Sequence, residues 1–259
     1  MGGRDQVGQY QARLRSVNPG SQTPLQPSLH VLSGGAANGL VSRLEARFTA
    51  RTGMAIAGTF SAVGQMKDAL LAGATCDVVI LTQALIDELM ASGHLLPGSA
   101  RPVGLVRTGV AVAKGQAAPD VGSADALRQA LLGARAIYVP DLTRSTAGLH
   151  IMKVLRTLGI EQQVAEQLRP FPNGQTAMSA MARAAQAGEQ GLIGCTQVTE
   201  IINTPGVALA GLLPAGLELS TLYVAAVARS SGAAPAATEL IALLSDPSHE
   251  ATRRDCGFD

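Results

Sequence analysis

The sequence has no tryptophan, and aromatic residues make up only 3% of its 259 residues. This scarcity argues against the aromatic platforms on which proteins stack the bases of single-stranded nucleic acid. The charge is nearly balanced, because the formal net charge is +1 at pH 7 and lysine and arginine form no run. Such a chain has no general field to gather nucleic acid or an acidic membrane. We therefore expect no nucleic-acid partner.

Cysteine and histidine are too few and too scattered for a metal site. No two cysteines form a C-x-x-C pair, and no two histidines have H-x-H or H-E-x-x-H spacing. The residues concerned are Cys76, Cys195 and Cys256, and His30, His94, His150 and His249. The sequence therefore predicts no bound metal. An odd number of thiols fits a reducing compartment somewhat better than an oxidising one.

Long hydrophobic runs are also absent. The apolar stretches are short and broken by glycine or polar residues, so none is predicted to span a bilayer. Residues 1–28 lack the apolar centre of a secretory signal, and we interpret them as a flexible leader or tag. If a signal peptide was removed before this numbering begins, the protein is periplasmic. The chain as it stands shows none and could be cytoplasmic.

The sequence does contain a clear alternation of strand and helix patterns. Apolar residues make up 47% of the chain and charged residues 15%. Strands are predicted at 29–33, 54–60 and 76–82, and helices at 36–53, 63–73 and 83–93. Successive βα units are typical of a parallel sheet with helices packed on it. The predicted fold class is therefore α/β.

Two long extended stretches, 103–115 and 219–230, interrupt this alternation. They predict two lobes, each a mostly parallel sheet flanked by helices, which the chain joins through two hinge crossings. We expect the first lobe to contain 29–106 and 227–259, and the second to contain 107–226. A cleft between two such lobes is a natural ligand site.

The turns after the first two strands carry the first candidate ligand contacts. The stretch VLSGGAANGL has neither the lysine of a Walker A motif nor the spacing of a dinucleotide-binding turn, so no cofactor is predicted. A helix N-terminus still offers free N–H groups and a partial positive charge to a small anion. The candidates are Ser33, Gly34 and Gly35 in the first turn and Ser61 in the second. The alternative is that both are ordinary βα turns without a ligand.

Two further stretches bring side chains to the same region. In PDLTRSTAGLH, Arg144 precedes a helix that Ser145 or Thr146 caps. An arginine in that place can hold a carboxylate through two parallel hydrogen bonds. Gln197 at the end of a later strand and Tyr223 on the second long extended stretch are candidate polar groups over the cleft. The alternative for Arg144 is an exposed loop residue.

The titratable groups near the predicted cleft are Asp141, His150 and Cys195. None belongs to a catalytic motif, because the sequence has no G-x-S-x-G elbow and no Ser/His/Asp arrangement. A packed thiol is the expected state of Cys195, since no basic residue near it in sequence would activate it.

The chain resembles the type II periplasmic solute-binding proteins, in particular their molybdate-binding branch. The resemblance covers most of 29–259 and rests on VLSGGAANGLVSRLEARFTARTG, GATCDVVILTQALIDELMASG and GVALAGLLPAGLELSTLYVAAVA. It implies two α/β lobes that close around a small anion without a metal or cofactor. It also implies an ABC transporter component in the membrane as a partner, and we expect a monomer or a weak dimer.

The resemblance also indicates where the ligand would bind. In molybdate binders the first two turns each offer a serine, and the second lobe adds a tyrosine. The corresponding positions here are Ala36, Val63 (next to Ala62) and Gly194, and none of them has a polar side chain. This departure favours an organic carboxylate over molybdate.

The leading interpretation is a solute-binding protein that closes around a small organic carboxylate for an ABC-type transporter. The alternative is a cofactor-independent isomerase or tautomerase of a small tricarboxylate, because this subfamily includes isomerases of acids such as aconitate. A third interpretation, a ligand-sensing domain, lacks the helix-turn-helix that would precede the fold.

Overall fold

The computed structural model describes residues 27–259. All but the last two residues of the predicted leader lie outside this range. The strands are β1 (Ser28–Gly34), β2 (Ala55–Ser61), β3 (Val78–Thr82), β4 (Arg101–Ala113), β5 (Ala136–Pro140), β6 (Leu168–Phe171), β7 (Leu192–Gln197), β8 (Val207–Leu212) and β9 (Ser220–Val227). The helices are α1 (Asn38–Thr52), α2 (Val63–Leu71), α3 (Gln83–Ala91), α4 (Ala124–Gly133), α5 (Thr146–Thr157), α6 (Gly174–Gln186), α7 (Val198–Ile202), α8 (Ala234–Ser245) and α9 (Glu250–Asp255). Within residues 27–259, no helix is long and apolar enough to cross a membrane.

The strands form one mixed sheet in the order β2-β1-β3-β9-β4-β7-β5-β6, with β8 paired to β4. On one side β1 is parallel to β2 and β3, and on the other β5 is parallel to β6 and β7. The middle strands β4 and β9 are antiparallel to each other and to their neighbours β7 and β3. The predicted parallel βα units are therefore present on both sides. The antiparallel middle joins them into one sheet, and the division into two lobes stays a prediction.

Strand β4 is shared between the two parallel sets. Its first part, Arg101–Arg107, pairs with β9, and its second part, Thr108–Val112, pairs with β7. Strand β8 pairs with the second part as well. The two long extended stretches of the sequence thus correspond to β4 and β9, the strands that connect one side of the sheet to the other.

Helix α1 has the amphipathic pattern that its sequence predicts. Leu40, Leu44 and Phe48 recur on one face, and all three are buried. A short 3-10 turn, Gly35–Ala37, precedes the helix. Gly53 ends it with a φ of 71°, a left-handed conformation that glycine adopts without a steric penalty.

Buried apolar residues form three clusters. One draws its members from 29–106 and 223–258, and the other two from 110–217. Each side of the sheet therefore has its own core. The candidate site lies where residues from the two sides meet.

The register of the parallel strands positions that site. Gly34 at the end of β1 lies opposite Ser61 at the end of β2, and Ser33 lies opposite Ile80 of β3. Because these strands are parallel, the turns that follow them lie at one edge of the sheet, where open α/β sheets bind ligands.

Candidate functional site

Residues from the N-terminal ends of several helices line a small cavity. It has room for about one water molecule, about 10 Å³. The lining consists of Gly35, Ser61, Ala62, Val63, Ser145, Thr146, Asn173, Gly174, Glu200 and Tyr223. Helices α2, α5 and α6 begin at these residues, and α1 begins just after the Gly35 turn. Free N–H groups and the positive ends of the helix dipoles make these surroundings favourable for an anion.

The glycines of the first turn leave space for residues from other elements. A Cβ atom on Gly34 would lie 2.7 Å from Val63 Cγ1 and 2.9 Å from Tyr223 Cε1. A Cβ atom on Gly35 would collide with the Glu200 carboxylate oxygen Oε1. The turn therefore approaches Tyr223 of β9 and Glu200 of α7 so closely that only glycine fits at both positions.

Glu200 brings a carboxylate into the cavity lining, and the residue is only 6% exposed. Its Oε2 atom accepts a 2.5 Å hydrogen bond from Thr196 Oγ1. Backbone N–H groups of Gly174, Gln175 and Gln197 also donate to the carboxylate. Burial raises the pKa of Glu200, and these donors act against that increase. The carboxylate thus takes up donors at the beginning of both α6 and α7.

The local sequence explains how Glu200 reaches this position. Gln197 is the N-cap of α7, and Glu200 is the third residue of that helix. A glutamate at this place commonly bonds back to the N–H of the N-cap residue. Gly174 provides the remaining space, because a Cβ atom there would collide with both Glu200 Oε2 and Thr196 Oγ1.

Tyr223 and Gln197 are paired next to the carboxylate. The Tyr223 hydroxyl donates to Gln197 Oε1 at 2.8 Å, and both residues are buried. Burial raises the pKa of Tyr223, and the negative charge of Glu200 raises it further. The Gln197 Nε2 atom is buried and has no hydrogen-bond partner among the described residues. This donor is free to serve an oxygen of a ligand.

Further hydrogen bonds, made by asparagine side chains, connect the two sides of the sheet across the site. Asn38 Nδ2 donates to Gln175 Oε1 at 2.6 Å, and Asn173 Nδ2 donates to the Phe60 carbonyl oxygen at 3.4 Å. Asn173 also caps α6, because its Oδ1 atom accepts from Thr176 N at 2.8 Å. These contacts link the two sides of the sheet beside the cavity.

The Arg144 segment borders the site through its backbone. The Arg144 carbonyl oxygen accepts a 3.4 Å hydrogen bond from Gly64 N, in the first turn of α2. The Arg144 side chain is exposed and does not line the cavity. Ser145 caps α5 by accepting from Gly148 N at 3.3 Å, and Thr146 lies beside it in the lining.

The structure brings most of the predicted ligand contacts together. Gly35, Ser61, Ala62, Val63, Ser145, Thr146 and Tyr223 line the cavity, and Gly34 and Gln197 contact Tyr223. Five predicted residues lie outside the lining, namely Gly34, Gln197, Arg144, Ser33 and Ala36. Ser33 is fully buried and donates to the Gly34 carbonyl oxygen at 2.9 Å, and Ala36 is buried in the core. Ser61 Oγ, in the lining, donates to Gln65 Oε1 at 2.6 Å.

The three titratable groups considered from the sequence have other partners. Asp141 Oδ1 accepts from the N–H groups of Thr143 and Arg144, and the Thr143 bond is the largest cause of its lowered pKa. The His150 Nε2 atom lies 2.8 Å from the Leu217 carbonyl oxygen. Burial raises the pKa of Cys195 to about 12, as expected of a packed thiol.

Three residues of the lining were not predicted from the sequence: Asn173, Gly174 and Glu200. Asn173 could have been found, because an asparagine directly before an amphipathic helix is a common N-cap. Glu200 gives no comparable sign, since Gly35 and Gly174, which enclose it, are distant in sequence. Within residues 27–259, no group of three or more His, Cys, Asp or Glu side chains could hold a metal ion.

Comparison with known proteins decides the family. The family model for bacterial extracellular solute-binding proteins matches residues 29–259. The chain belongs to this family. Its members are extracellular solute-binding proteins of bacteria.

Solved structures support the same fold. The periplasmic molybdate-binding protein of Azotobacter vinelandii has a TM-score of 0.71 and 19% identity, with 89% of this chain and 98% of that protein covered. The sulfate-binding protein of Mycobacterium tuberculosis has a TM-score of 0.69 and 15% identity, with 90% and 86% covered. A curated relative, the aconitate isomerase of a Pseudomonas species, is 26% identical over 251 residues, 92% of each chain. The chain therefore has the α/β fold of the periplasmic binding proteins.

Proposed function

We propose that this solute-binding protein takes a small organic carboxylate as its ligand, in the cleft that closes over the cavity. The observation that carries the proposal is the meeting of the N-termini of α2 and α5 with the Gly35 turn around one cavity. Backbone N–H groups at helix N-termini bind carboxylates without a counter-charged side chain. Arg144, at the beginning of α5, is placed to meet a second carboxylate at the rim of the cleft.

Closure accompanies binding in this proposal. The cavity holds about one water molecule, so a di- or tricarboxylate enters only when the two sides of the sheet move apart. Strands β4 and β9 are the connections that would bend. Asn38–Gln175 and Asn173–Phe60 are the contacts that would break and re-form.

The melting temperature measured against a panel of anions tests the proposal. The panel contains molybdate, tungstate, sulfate, phosphate, and di- and tricarboxylates including both aconitate isomers. A ligand at about one hundred times its Kd adds about 2.7 kcal/mol of stability. For a chain of this size, that corresponds to an increase of about 5–10 °C. Increases with molybdate alone, or with no carboxylate, would contradict the proposal.

A second candidate function is cofactor-independent isomerisation of a small unsaturated tricarboxylate. It is favoured by the Glu200 carboxylate in the cavity lining, a titratable group that a pure anion binder does not need. The similarity to an aconitate isomerase points the same way. Interconverting the two aconitates requires removing a proton from one carbon and adding a proton to a second carbon, two positions away. The substrate is neither oxidised nor reduced. A carboxylate acting as general base and then as general acid suffices for this.

Proton NMR in D2O distinguishes binding from isomerisation. The protein is mixed with trans-aconitate, and the cis isomer and the loss of vinyl and methylene proton signals are followed. Isomer formation with deuterium uptake identifies an isomerase. A melting-temperature increase with trans-aconitate, without either change in the spectrum, identifies a binding protein.

A further inference from the structure

The Glu200 carboxylate sits where a ligand oxyanion would bind. Four donors surround it: the N–H groups of Gly174, Gln175 and Gln197, and the Thr196 hydroxyl at 2.5 Å. The beginning of α6, which would otherwise be open to a ligand anion, is thus already occupied by a group of the protein itself.

The fit around this carboxylate comes from both sides of the sheet. Gly174 of α6 and Gly35 of the first turn each leave the space that a Cβ atom would take from its oxygens. Glu200 is 6% exposed and lies in the cavity lining. Its oxygens therefore remain in place when the cavity is closed, and a ligand has to bind beside them.

We propose that Glu200 determines the ligand class, by excluding inorganic oxyanions and requiring an organic acid that turns a hydrogen-bearing group toward it. A tetrahedral dianion such as molybdate or sulfate would need the α6 donors that Glu200 holds, and it would meet a second negative charge. An organic acid can place a carboxylate at α2 and α5 and direct a hydroxyl, a methylene or a protonated carboxyl group toward Glu200. The unpaired Gln197 Nε2 donor is available for another oxygen of such a ligand.

This inference deepens the proposed function and rests on the same cavity. It accounts for a difference in ligand class between this chain and proteins of the same fold whose names state molybdate or sulfate as the ligand. It also fits both candidate functions, because the methylene group that an isomerase would deprotonate is a hydrogen-bearing group of this kind.

The test compares Glu200→Ala and Glu200→Gln with the full wild-type chain, using molybdate, sulfate and trans-aconitate as probes. Calorimetry measures each Kd. Removing the carboxylate frees the α6 donors, so we expect Glu200→Ala to bind molybdate or sulfate at least about 10-fold more tightly than the wild type. Glu200→Gln keeps the size of the side chain and removes its charge, so it separates charge repulsion of the oxyanion from occupation of the α6 donors. It also replaces Glu200→Ala in the test if that variant does not fold. Glu218→Ala, at an exposed glutamate, is the matched control and should leave every Kd unchanged.

The outcomes separate this inference from the proposed function. Tighter oxyanion binding in either Glu200 variant, and in no control, supports the role of Glu200. Oxyanion affinities equal to those of the wild type in every folded Glu200 variant overturn it, as does strong molybdate binding by the wild type. If the wild type binds trans-aconitate and the variants gain no oxyanion affinity, this inference is overturned and the proposed function is not. If the wild type binds no carboxylate, the proposed function is overturned, even if a Glu200 variant gains oxyanion affinity.

Discussion

At the scale of single residues, the absence of a side chain at Gly174 matters as much as the charge at Glu200. A Cβ atom on Gly174 would collide with Glu200 Oε2 and Thr196 Oγ1. Both atoms belong to buried residues, so neither can move into solvent without opening the site. The carboxylate position is therefore set by a residue that makes no side-chain contact of its own.

Gly174→Ala should destabilise the protein and displace the carboxylate. Forcing one carbon into a packed site costs about 1–3 kcal/mol, and urea denaturation would measure it. Gly133→Ala is the matched control, because Gly133 ends α4 and has nothing within 4 Å of its would-be Cβ. That change should be neutral or stabilising by up to about 1 kcal/mol. Equal effects of the two substitutions would show that the space around Glu200 is not tightly filled.

Asp141 gives a prediction for the dependence of stability on pH. Its pKa is lowered, chiefly by the Thr143 N–H bond, so its ionised form favours the folded state. That contribution is present above the ordinary aspartate pKa of about 3.9 and is lost as the pH falls through the lowered value. Asp141→Asn keeps an acceptor oxygen but removes the charge. Its melting temperature should be below that of the wild type at neutral pH, and the gap should narrow as the pH falls below about 3.9.

The control for this titration is Asp68→Asn, at an exposed residue of α2. Removing a charge from this exposed side chain should change the free energy of unfolding by no more than about 0.5 kcal/mol. If Asp141→Asn and the wild type have parallel melting curves across this pH range, the Asp141 loop contributes no charge-dependent stability.

Some residues of the candidate site were predicted from the sequence and others were not. Gly34, Gly35 and Tyr223 were placed in one site, because glycines after a strand and a tyrosine on a crossing strand are visible in local patterns. Glu200 was not, since its position depends on packing against Gly35 and Gly174, which no local pattern shows. Arg144 was expected at the ligand. Its segment lies beside α2 and its side chain is exposed, so its contact with a ligand stays a prediction.

At the scale of elements, the helices that begin at the site depend on their N-caps. Asn173 caps α6 and also donates to Phe60 across the sheet, whereas Ser123 caps α4 away from the site by accepting from Ala126 N at 3.1 Å. The two caps are chemically similar. Only one of them connects the two sides of the sheet.

Asn173→Ala and Ser123→Ala should each cost about 1 kcal/mol of stability through the lost cap. Only Asn173→Ala should also weaken ligand binding, because it loosens the beginning of α6 and removes the contact with Phe60. Chemical denaturation measures the first effect, and calorimetry with the carboxylate that stabilises the wild type measures the second. A similar loss of affinity in both variants would mean that the α6 cap has no special place in the site.

Periodicity accounts for most of the elements that sequence reasoning placed correctly. Helices α1 to α3 have apolar faces of two or more turns, and β1 to β4 are buried or long enough to be visible as strands. β6 has four residues and α7 has five, too few to show a period. β8 pairs only with β4, and its residues are mostly half-buried or exposed, so its burial pattern is weak.

At the scale of the whole molecule, one sheet runs through both predicted lobes. Two separate sheets joined by linkers would move freely, but here β4 and β9 are hydrogen-bonded to each other over Arg101–Arg107 and to strands on both sides. Any opening of the cleft therefore has to bend or twist this shared pair. The register shift between Pro102 and Gly104 marks an irregular point in it.

Ligand-dependent closure is the prediction at this scale. The closed cavity admits about one water molecule, so ligand-free protein must visit an open form to bind a carboxylate. Small-angle scattering should give a larger radius of gyration without ligand than with a saturating carboxylate that raises the melting temperature. An anion without that effect is the control and should leave the radius unchanged.

Asn38→Ala combined with Gln175→Ala makes this prediction sharper. The 2.6 Å bond between these side chains exists only when the two sides are together, and neither residue lines the cavity. The double variant should therefore shift the ligand-free protein toward the open form and weaken carboxylate binding. The reason is that part of the binding free energy must then close the cleft without this bond. Identical scattering with and without ligand, in both the wild type and the double variant, would mean that the cleft is permanently closed and that a carboxylate binds elsewhere.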